Sequence, residues 1–454
     1  MTANVDYAYD QYLKAHEAQA VPAILRFKEK LKGPSFSYGR FSVPAFYKGY
    51  FVSSRQQRLL KRVSSAFSEI MNKTARLYFE EAQMKTHFRL SPEAEELIRI
   101  DPGYSRYVVF SRFDALMEGE SLKLLEFNSD APTGASYTDQ LESAFLSEEL
   151  VWPFAGEHHL AASERVQGIL STLLSVYEEF GGYETPQIAI VDWRHAKTAA
   201  EFEHMKGHFE SKGYKTTIAD PRELQYKGGK LYHKGFRVHL IYRCVAFDEL
   251  VERLDEVQDL LRAYKDKAVC MVNPLRSRLA SSKSAFSLLT TPEFDRFFTE
   301  NENEIKRQHL PWTRCLSAAE DFYGHRKVFL IDFLKDEKET VVLKPSGSSH
   351  GARNVAIGRE TPDSDWNAVV DRALKEEDWV IQEYVSVPAM TVPEVVNQKL
   401  DFIYKKYNFN LLVFGGKYAG GFARLSDESV INVATGGGLM PAIWSDVAPE
   451  HFGT

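Results

Sequence analysis

Over the first hundred residues, apolar positions recur every three to four residues. Val21-Pro-Ala-Ile-Leu-Arg-Phe27 and Gln56-Gln-Arg-Leu-Leu-Lys-Arg-Val-Ser-Ser-Ala-Phe67 carry the pattern, which predicts mainly helix over 4–100. Near residue 107 the period falls to two. Tyr107-Val-Val-Phe-Ser-Arg-Phe-Asp114 reads as a strand, Met117-Glu-Gly-Glu120 as a turn with glycine at its centre, and Leu122-Lys-Leu-Leu-Glu-Phe-Asn128 as the returning strand of a β-hairpin. Residues 187–243 alternate between buried-strand runs and a helix. Gln187-Ile-Ala-Ile-Val-Asp192 predicts a strand, Thr198 to Lys212 a helix closed by Gly213, Thr216-Thr-Ile-Ala219 a second strand and Val238-His-Leu-Ile-Tyr-Arg243 a further one. Gly228-Gly229 marks a turn between two short strands. Beyond 265, helical segments around Lys283 and Phe294 lead to the strand Thr340-Val-Val-Leu-Lys344 and a Gly/Ser loop. The strand Asn354-Val-Ala-Ile357, a helix near 365–376 and the strand Trp379-Val-Ile-Gln-Glu383 come next, then strands near 398–404 and 408–414 and a glycine-rich end.

At 454 residues the chain is too long for one ordinary core, so two or three sub-domains are expected. The order of elements predicts a mixed α/β (α+β) protein in three regions, 1–150, 151–264 and 265–454. Lys and Arg total 56 against 63 Asp and Glu. That mildly acidic balance argues against a nucleic-acid partner, which favours a basic stripe, but leaves room for a small anionic ligand in a locally basic cleft. Cys244, Cys270 and Cys315 form no CxxC or zinc spacing and read as reduced thiols. Charges at Asp6, Asp10, Lys14, Glu17 and Arg26 interrupt any apolar signal core, and no uncharged run is long enough to span a membrane. A cytoplasmic protein with no membrane partner is expected.

Three short segments carry candidate chemistry. On the hairpin, Arg112 and Asp114 alternate on one strand, and Glu126 and Asn128 on the other, so all four project from one sheet surface. Two carboxylates, an amide oxygen and a guanidinium together suit Mg²⁺ and a phosphoryl group; the same alternation also describes a solvated hairpin face. In Val341-Val-Leu-Lys-Pro-Ser-Gly-Ser-Ser-His-Gly-Ala-Arg-Asn354, an apolar strand delivers Lys344 and opens into small residues. Gly347 and Gly351 permit backbone N–H groups to turn inward, with Ser346, Ser348 and Ser349 keeping the loop pliable; a plain hairpin loop is the alternative. No GxxxxGK[ST] or GxGxxG motif accompanies it. In Trp379-Val-Ile-Gln-Glu-Tyr-Val385 a strand ends in groups able to meet the edge of an adenine, or is simply core. Near the end, Arg424 could clamp a carboxylate or phosphate bidentately, with Gly436-Gly437-Gly438 as a lid or only a tight turn.

Taken together, Arg112-Phe-Asp114, Glu126-Phe-Asn128, Lys283, Lys344-Pro345 and Gln382-Glu383-Tyr384 occur in an order that resembles the circularly permuted ATP-grasp ligases of the glutathionylspermidine synthetase type and, more distantly, the eukaryotic-type glutathione synthetases. The resemblance covers about residues 100–440. It implies an ATP-grasp fold in permuted order: 1–150 as a helical region plus the metal-binding hairpin, 151–264 as a Rossmann-like substrate (pre-ATP-grasp) domain, and 265–454 as the nucleotide-binding region. It implies Mg²⁺ on Asp114, Glu126 and Asn128. ATP phosphates fall to Lys283, Lys344 and the 346–351 loop, adenine to Gln382, Glu383 and Tyr384, and the phosphoryl group and acyl phosphate to Arg112, while Arg424 and the late glycines compare with an Arg and glycine loop that face the substrate in the glutathione synthetases. The implied reaction joins a small-molecule carboxylate to an amine, peptide and carrier-bound partners included. A kinase that phosphorylates a hydroxyl and a non-catalytic nucleotide-binding scaffold are the alternatives. Ser346-Gly-Ser-Ser-His-Gly351 lacks the acidic metal ligand of the glutathione synthetases. The absence of any cysteine before Cys244 speaks against the amidase of the bifunctional glutathionylspermidine enzymes.

Overall fold

The computed structural model describes residues 5–445 other than 318, 325, 348–353, 377 and 434–435. Helices dominate the first hundred residues, as the 3.6-residue period requires. The longest, Ser54–Glu80, begins at a capping box in which Ser53 and Gln56 satisfy each other's backbone N–H groups. Its buried stripe, which includes Leu60, Val63, Phe67 and Met71, packs behind the largest sheet.

That sheet has seven strands. Six run in the order Tyr50–Val52, Gly438–Trp444, Lys417–Ser426, Lys399–Phe414, Phe110–Glu118 and Ser121–Asn128, and Ala389–Val396 pairs with the outer half of Lys399–Phe414. All pairs are antiparallel except the first, which is parallel. The expected hairpin thus lies at one edge, turned at Gly119 with φ of +59°. The strands expected near 398–404 and 408–414 are one continuous strand, Lys399–Phe414. Lys405 and Lys406 interrupt the apolar run but not the ladder, because their ammonium groups reach out to Asp427 and Ser429.

A second, parallel sheet has the order Cys270–Val272, Leu240–Arg243, Ile188–Val191, Thr216–Ala219. Its two central strands are buried at every position, the signature of a sheet covered on both faces. The helix Ala199–Ser211 joins Ile188–Val191 to Thr216–Ala219, giving a Rossmann-like unit. A third sheet, antiparallel, has the order Thr313–Cys315, Trp379–Glu383, Val341–Pro345, Ala356–Ile357. Val341, Leu343, Trp379 and Ile381 turn one face into a cluster with Phe333, Leu334, Trp366 and Val370. The opposite face carries Val342, Lys344 and Gln382 and, across a cleft, looks onto the polar face of the hairpin. Among the described residues no helix is long and apolar enough to cross a membrane.

Candidate functional site

The hairpin is anchored by its apolar face. Phe113 and Phe127 are buried with ring centroids 4.8 Å apart, and Phe127 lies 4.4 Å from Phe286 and 5.6 Å from Phe67. The two-residue period then sends Arg112, Asp114, Glu126 and Asn128 to the other side. Register sets Arg112 opposite Asn128 and Asp114 opposite Glu126. Asp114 is the hub. Its Oδ1 accepts from Arg112 Nε at 2.7 Å and Asn128 Nδ2 at 3.1 Å; its Oδ2 accepts from Arg112 Nη2 at 3.4 Å and Arg424 Nη1 at 3.2 Å. Arg424 arrives from the strand Lys417–Ser426, separated from the hairpin by Lys399–Phe414. Burial works to raise the Asp114 pKa, but the two guanidiniums outweigh it and hold the carboxyl below its ordinary value.

The opposite wall supplies two lysines. Lys283 opens the helix Lys283–Thr290, which Ser282 caps through Ser284 N–H. Lys283 N donates to Ser346 O at 3.3 Å, and the Ser284 and Ser346 hydroxyls lie 2.7 Å apart. Ser346 therefore ties this helix to the end of the Val341–Pro345 strand and does not face the cleft. Lys283 Nζ lies 3.0 Å from Glu126 Oε1. Burial again opposes ionisation of Glu126, and Lys283 with Lys344 overcomes it, leaving the pKa below its ordinary value. Lys344 donates to Gln382 Oε1 at 2.6 Å, and burial pushes its ammonium down to about 8. Gln382 also donates to Thr313 Oγ1 at 3.1 Å, so its side chain positions Lys344. Glu383 and Tyr384 line the cleft, the latter under the Arg359 guanidinium at 4.2 Å. Gly347 is buried behind Ser346. Ser348, Ser349 and Gly351 lie outside the described residues.

Arg112, Asp114, Glu126, Asn128, Lys283, Lys344, Gln382, Glu383, Tyr384 and Arg424 thus meet in one cleft of about 230 Å³. Among the described lining residues four cations (Arg112, Lys283, Lys344 and Arg424) stand with three carboxylates (Asp114, Glu126 and Glu383), an excess of one positive charge. Beyond these charges, Val342, Ile357, Val385, Val387 and Ile431 make an apolar slot. Among the described residues no three His, Cys, Asp or Glu side chains gather as a metal-ligating group. Two carboxylates and an amide are an oxygen set that fits Mg²⁺, which takes few protein ligands and keeps waters and phosphate oxygens, and does not fit a closed zinc site.

A family model described as glutathionylspermidine synthase preATP-grasp matches residues 47–398. The chain belongs to this family. The glutathionylspermidine synthase match spans the hairpin, both lysines and Gln382 to Tyr384, and ends before Arg424. A search of curated proteins returned no match. Among solved structures, a glutathione synthetase-like effector from Globodera pallida, in its apo form, superposes with a TM-score of 0.62 at 12% identity, over 93% of this chain and 96% of that one. A protein assigned as gamma-glutamylcysteine synthetase from Methylobacillus flagellatus is matched over 82% and 87% of the two chains at 12% identity, with a TM-score of 0.39. The first likeness establishes a shared fold; the second is too distant to carry an argument.

Sequence reasoning missed several residues at the site. Asn408 lines the cleft, and the fully buried Asn410 donates to Asn408 Oδ1 at 2.9 Å. Their alternation inside Tyr407-Asn-Phe-Asn-Leu411 was the available signal. Glu201 is fully buried, accepts from Gly134 N–H and Ser136 N–H, interacts electrostatically with Arg112, and is pushed up to about 7 by burial. No local pattern marks it, since it reads as an ordinary helix glutamate.

Proposed function

We propose that the protein is an ATP- and magnesium-dependent ligase that joins a carboxylate to an amine through an acyl phosphate. The observation that carries this reading is the cation-rich end of the cleft beside an apolar slot. A triphosphate brings about four negative charges and magnesium offsets about two, so the bound pair remains anionic and suits a cleft whose lining cations outnumber its carboxylates.

On this reading Lys283 and Lys344 hold the phosphates, with Gln382 fixing Lys344. Tyr384, Val342, Ile357 and Ile431 enclose the adenine, and Glu383 borders it. Asp114, Glu126 and Asn128 hold magnesium, which when bound supplies Lewis-acid neutralisation of the transferring phosphoryl group. The two arginines differ. Arg112 is fixed by two bonds to Asp114 and one to Thr133 O at 3.2 Å. Arg424 has one bond to Asp114 and is the one able to follow the transferred group. A carboxylate oxygen bonds to the γ-phosphorus as the bond to the β–γ bridging oxygen breaks and ADP departs. The amine nitrogen then bonds to the acyl carbon, orthophosphate leaves, and the amine's proton passes to solvent. Positioning and charge neutralisation carry this chemistry without a protein nucleophile. Burial keeps Cys244, Cys270 and Cys315 as thiols by raising each above its ordinary value.

The same reading makes the chain a circularly permuted ATP-grasp of the cytoplasm, divided at about 150 and 264, with its metal-bearing hairpin ahead of its lysine strand. Incubation with ATP, Mg²⁺ and paired carboxylates and amines should release ADP and orthophosphate in equal amounts and form an amide, seen by mass spectrometry. A stable phosphorylated product without orthophosphate would make the protein a kinase instead.

A further inference from the structure

Glu201 sits on the helix Ala199–Ser211 of the Rossmann-like unit, and its side chain is fully buried. Both carboxylate oxygens turn to the start of another helix, Ala135–Leu146. Oε1 accepts from Gly134 N–H at 3.0 Å and Ser136 N–H at 3.1 Å, and Oε2 accepts from Gly134 N–H at 3.1 Å. A carboxylate at a helix start is ordinary stabilisation. This one differs in what lies at the other end of the peptide it holds. The Gly134 N–H and the Thr133 C=O belong to one planar trans peptide and point in opposite directions. That C=O accepts from Arg112 Nη1 at 3.2 Å. Glu201, the Thr133–Gly134 peptide and Arg112 therefore form one line of hydrogen bonds, running from the Rossmann-like unit to the hairpin.

The linking peptide is itself fixed. Gly134 has φ of +114°, in the region that favours glycine, and a Cβ there would stand 2.7 Å from the Phe422 ring. Hydrogen bonds in a line polarise one another. Negative charge on Glu201 thus strengthens the acceptor that Thr133 offers Arg112, and it also acts on the guanidinium directly. Arg112 needs this second hold. Its other hydrogen bonds among the described residues both go to Asp114, which on the ligase reading is shared with magnesium.

We infer that Glu201 is a positioning residue: through the Thr133–Gly134 peptide it holds the Arg112 guanidinium in place for the γ-phosphate. The role of Arg112 at the phosphate rests on the ligase reading; the hold of Glu201 on Arg112 does not. The hold depends on charge, and Glu201 is set to lose its charge near neutrality. Burial is the largest influence and pushes it up to about 7; the two N–H groups and Arg112 oppose the rise, and Asp139 adds to it. The Tyr137 and Tyr242 phenols and the Cys244 thiol also feel Glu201, and burial raises all three, so they stay neutral near that pH.

The test compares the full-length wild type with Glu201→Gln, which keeps the size of the side chain and removes its charge. Nuclear magnetic resonance of the isotope-labelled chain reads the Arg112 Nη signals, identified by their loss in Arg112→Lys. In wild type they should shift with a midpoint near 7; in Glu201→Gln they should be displaced and should not respond to pH around that value. Calorimetry then titrates ATP and ADP, each with Mg²⁺. Wild type should prefer ATP, and Glu201→Gln should lose about tenfold of that preference, the contribution of one charge-assisted hydrogen bond. A passive helix-start carboxylate predicts the opposite sign, because removing a buried negative charge would favour the more anionic nucleotide. Arg112 signals unmoved by the substitution, or an ATP preference kept or increased, would overturn the inference. If Glu201→Gln fails to fold, the wild-type signals decide: a midpoint near 7 sustains the inference and no movement around that value refutes it. If wild type binds neither nucleotide while the Arg112 signals behave as expected, the hold of Glu201 on Arg112 stands and the nucleotide reading falls.

Discussion

Replacing Lys344 with methionine should make the protein more stable while weakening its hold on nucleotide. Lys344 is 9% exposed and, among the described residues, its ammonium has one hydrogen bond, to Gln382. Burial dominates its electrostatics; Glu126 offsets part of the cost and Lys283 adds repulsion, with a net fall from 10.5 to about 8. At about 1.4 kcal/mol per tenfold change in protonation, holding that charge costs the fold about 3 kcal/mol. Methionine removes the charge and fills a similar volume. It leaves Gln382 Oε1 without its donor, at a cost of about 1 kcal/mol, and weakens the support for ionised Glu126. A net gain of about 1–2 kcal/mol follows, worth roughly 1–4 °C in a chain of this length. The sign with pH is fixed by the direction of the shift. The folded protein sheds this proton near 8 and the unfolded chain keeps it to 10.5, so the penalty is full below about 8 and is relieved between those values. Thermal unfolding across that range should show wild type gaining stability with pH and Lys344→Met lacking that gain. A variant less stable than wild type at neutral pH, with the wild-type profile retained, would refute the claim that Lys344 is a buried, under-compensated cation.

Arg424→Met should leave nucleotide affinity within about threefold and cut ADP release by roughly a hundredfold to a thousandfold; an equal loss in affinity would make Arg424 a ground-state phosphate ligand. Arg165 is fully buried and joins Asp139 and Glu142 on one side to the carbonyls of Gly421 and Ala442 on the other. Arg165→Met leaves those carboxylates uncompensated and should cost about 3–5 kcal/mol in urea unfolding, irrespective of ligand; an unchanged midpoint would contradict that.

The sequence announced the parts of the site that lie along single strands. A period of two puts Arg112 with Asp114 and Glu126 with Asn128, and the apolar run before Lys344 marks a buried strand. What periodicity encodes is a face, not a partner. Arg424 meets Asp114 across 310 residues of sequence, and nothing local specifies that meeting. Gln382 looked like an adenine contact, but Trp379–Glu383 pairs with Val341–Pro345 so that Val342 faces Gln382, which brings its amide to Lys344. Ser346 looked like a phosphate-loop residue and is a tie to the Lys283 helix. A smaller space beside the cleft is lined by residues from Tyr38 to Leu439, a proximity that exists only once the seven-stranded sheet has gathered strands distant in sequence.

The central claim is that the cleft binds a magnesium nucleotide through Glu126 and the two lysines. Titration of ATP into wild type and Glu126→Gln, each with and without Mg²⁺, tests it most directly. Wild type should need magnesium for tight binding. Glu126→Gln should lose most of that dependence, because the metal loses a carboxylate while Lys283 is released from its 3.0 Å contact with Glu126 to meet phosphate unaided. A folded wild type that binds no ATP, or a Glu126→Gln variant with unchanged affinity and unchanged magnesium dependence, would contradict the account.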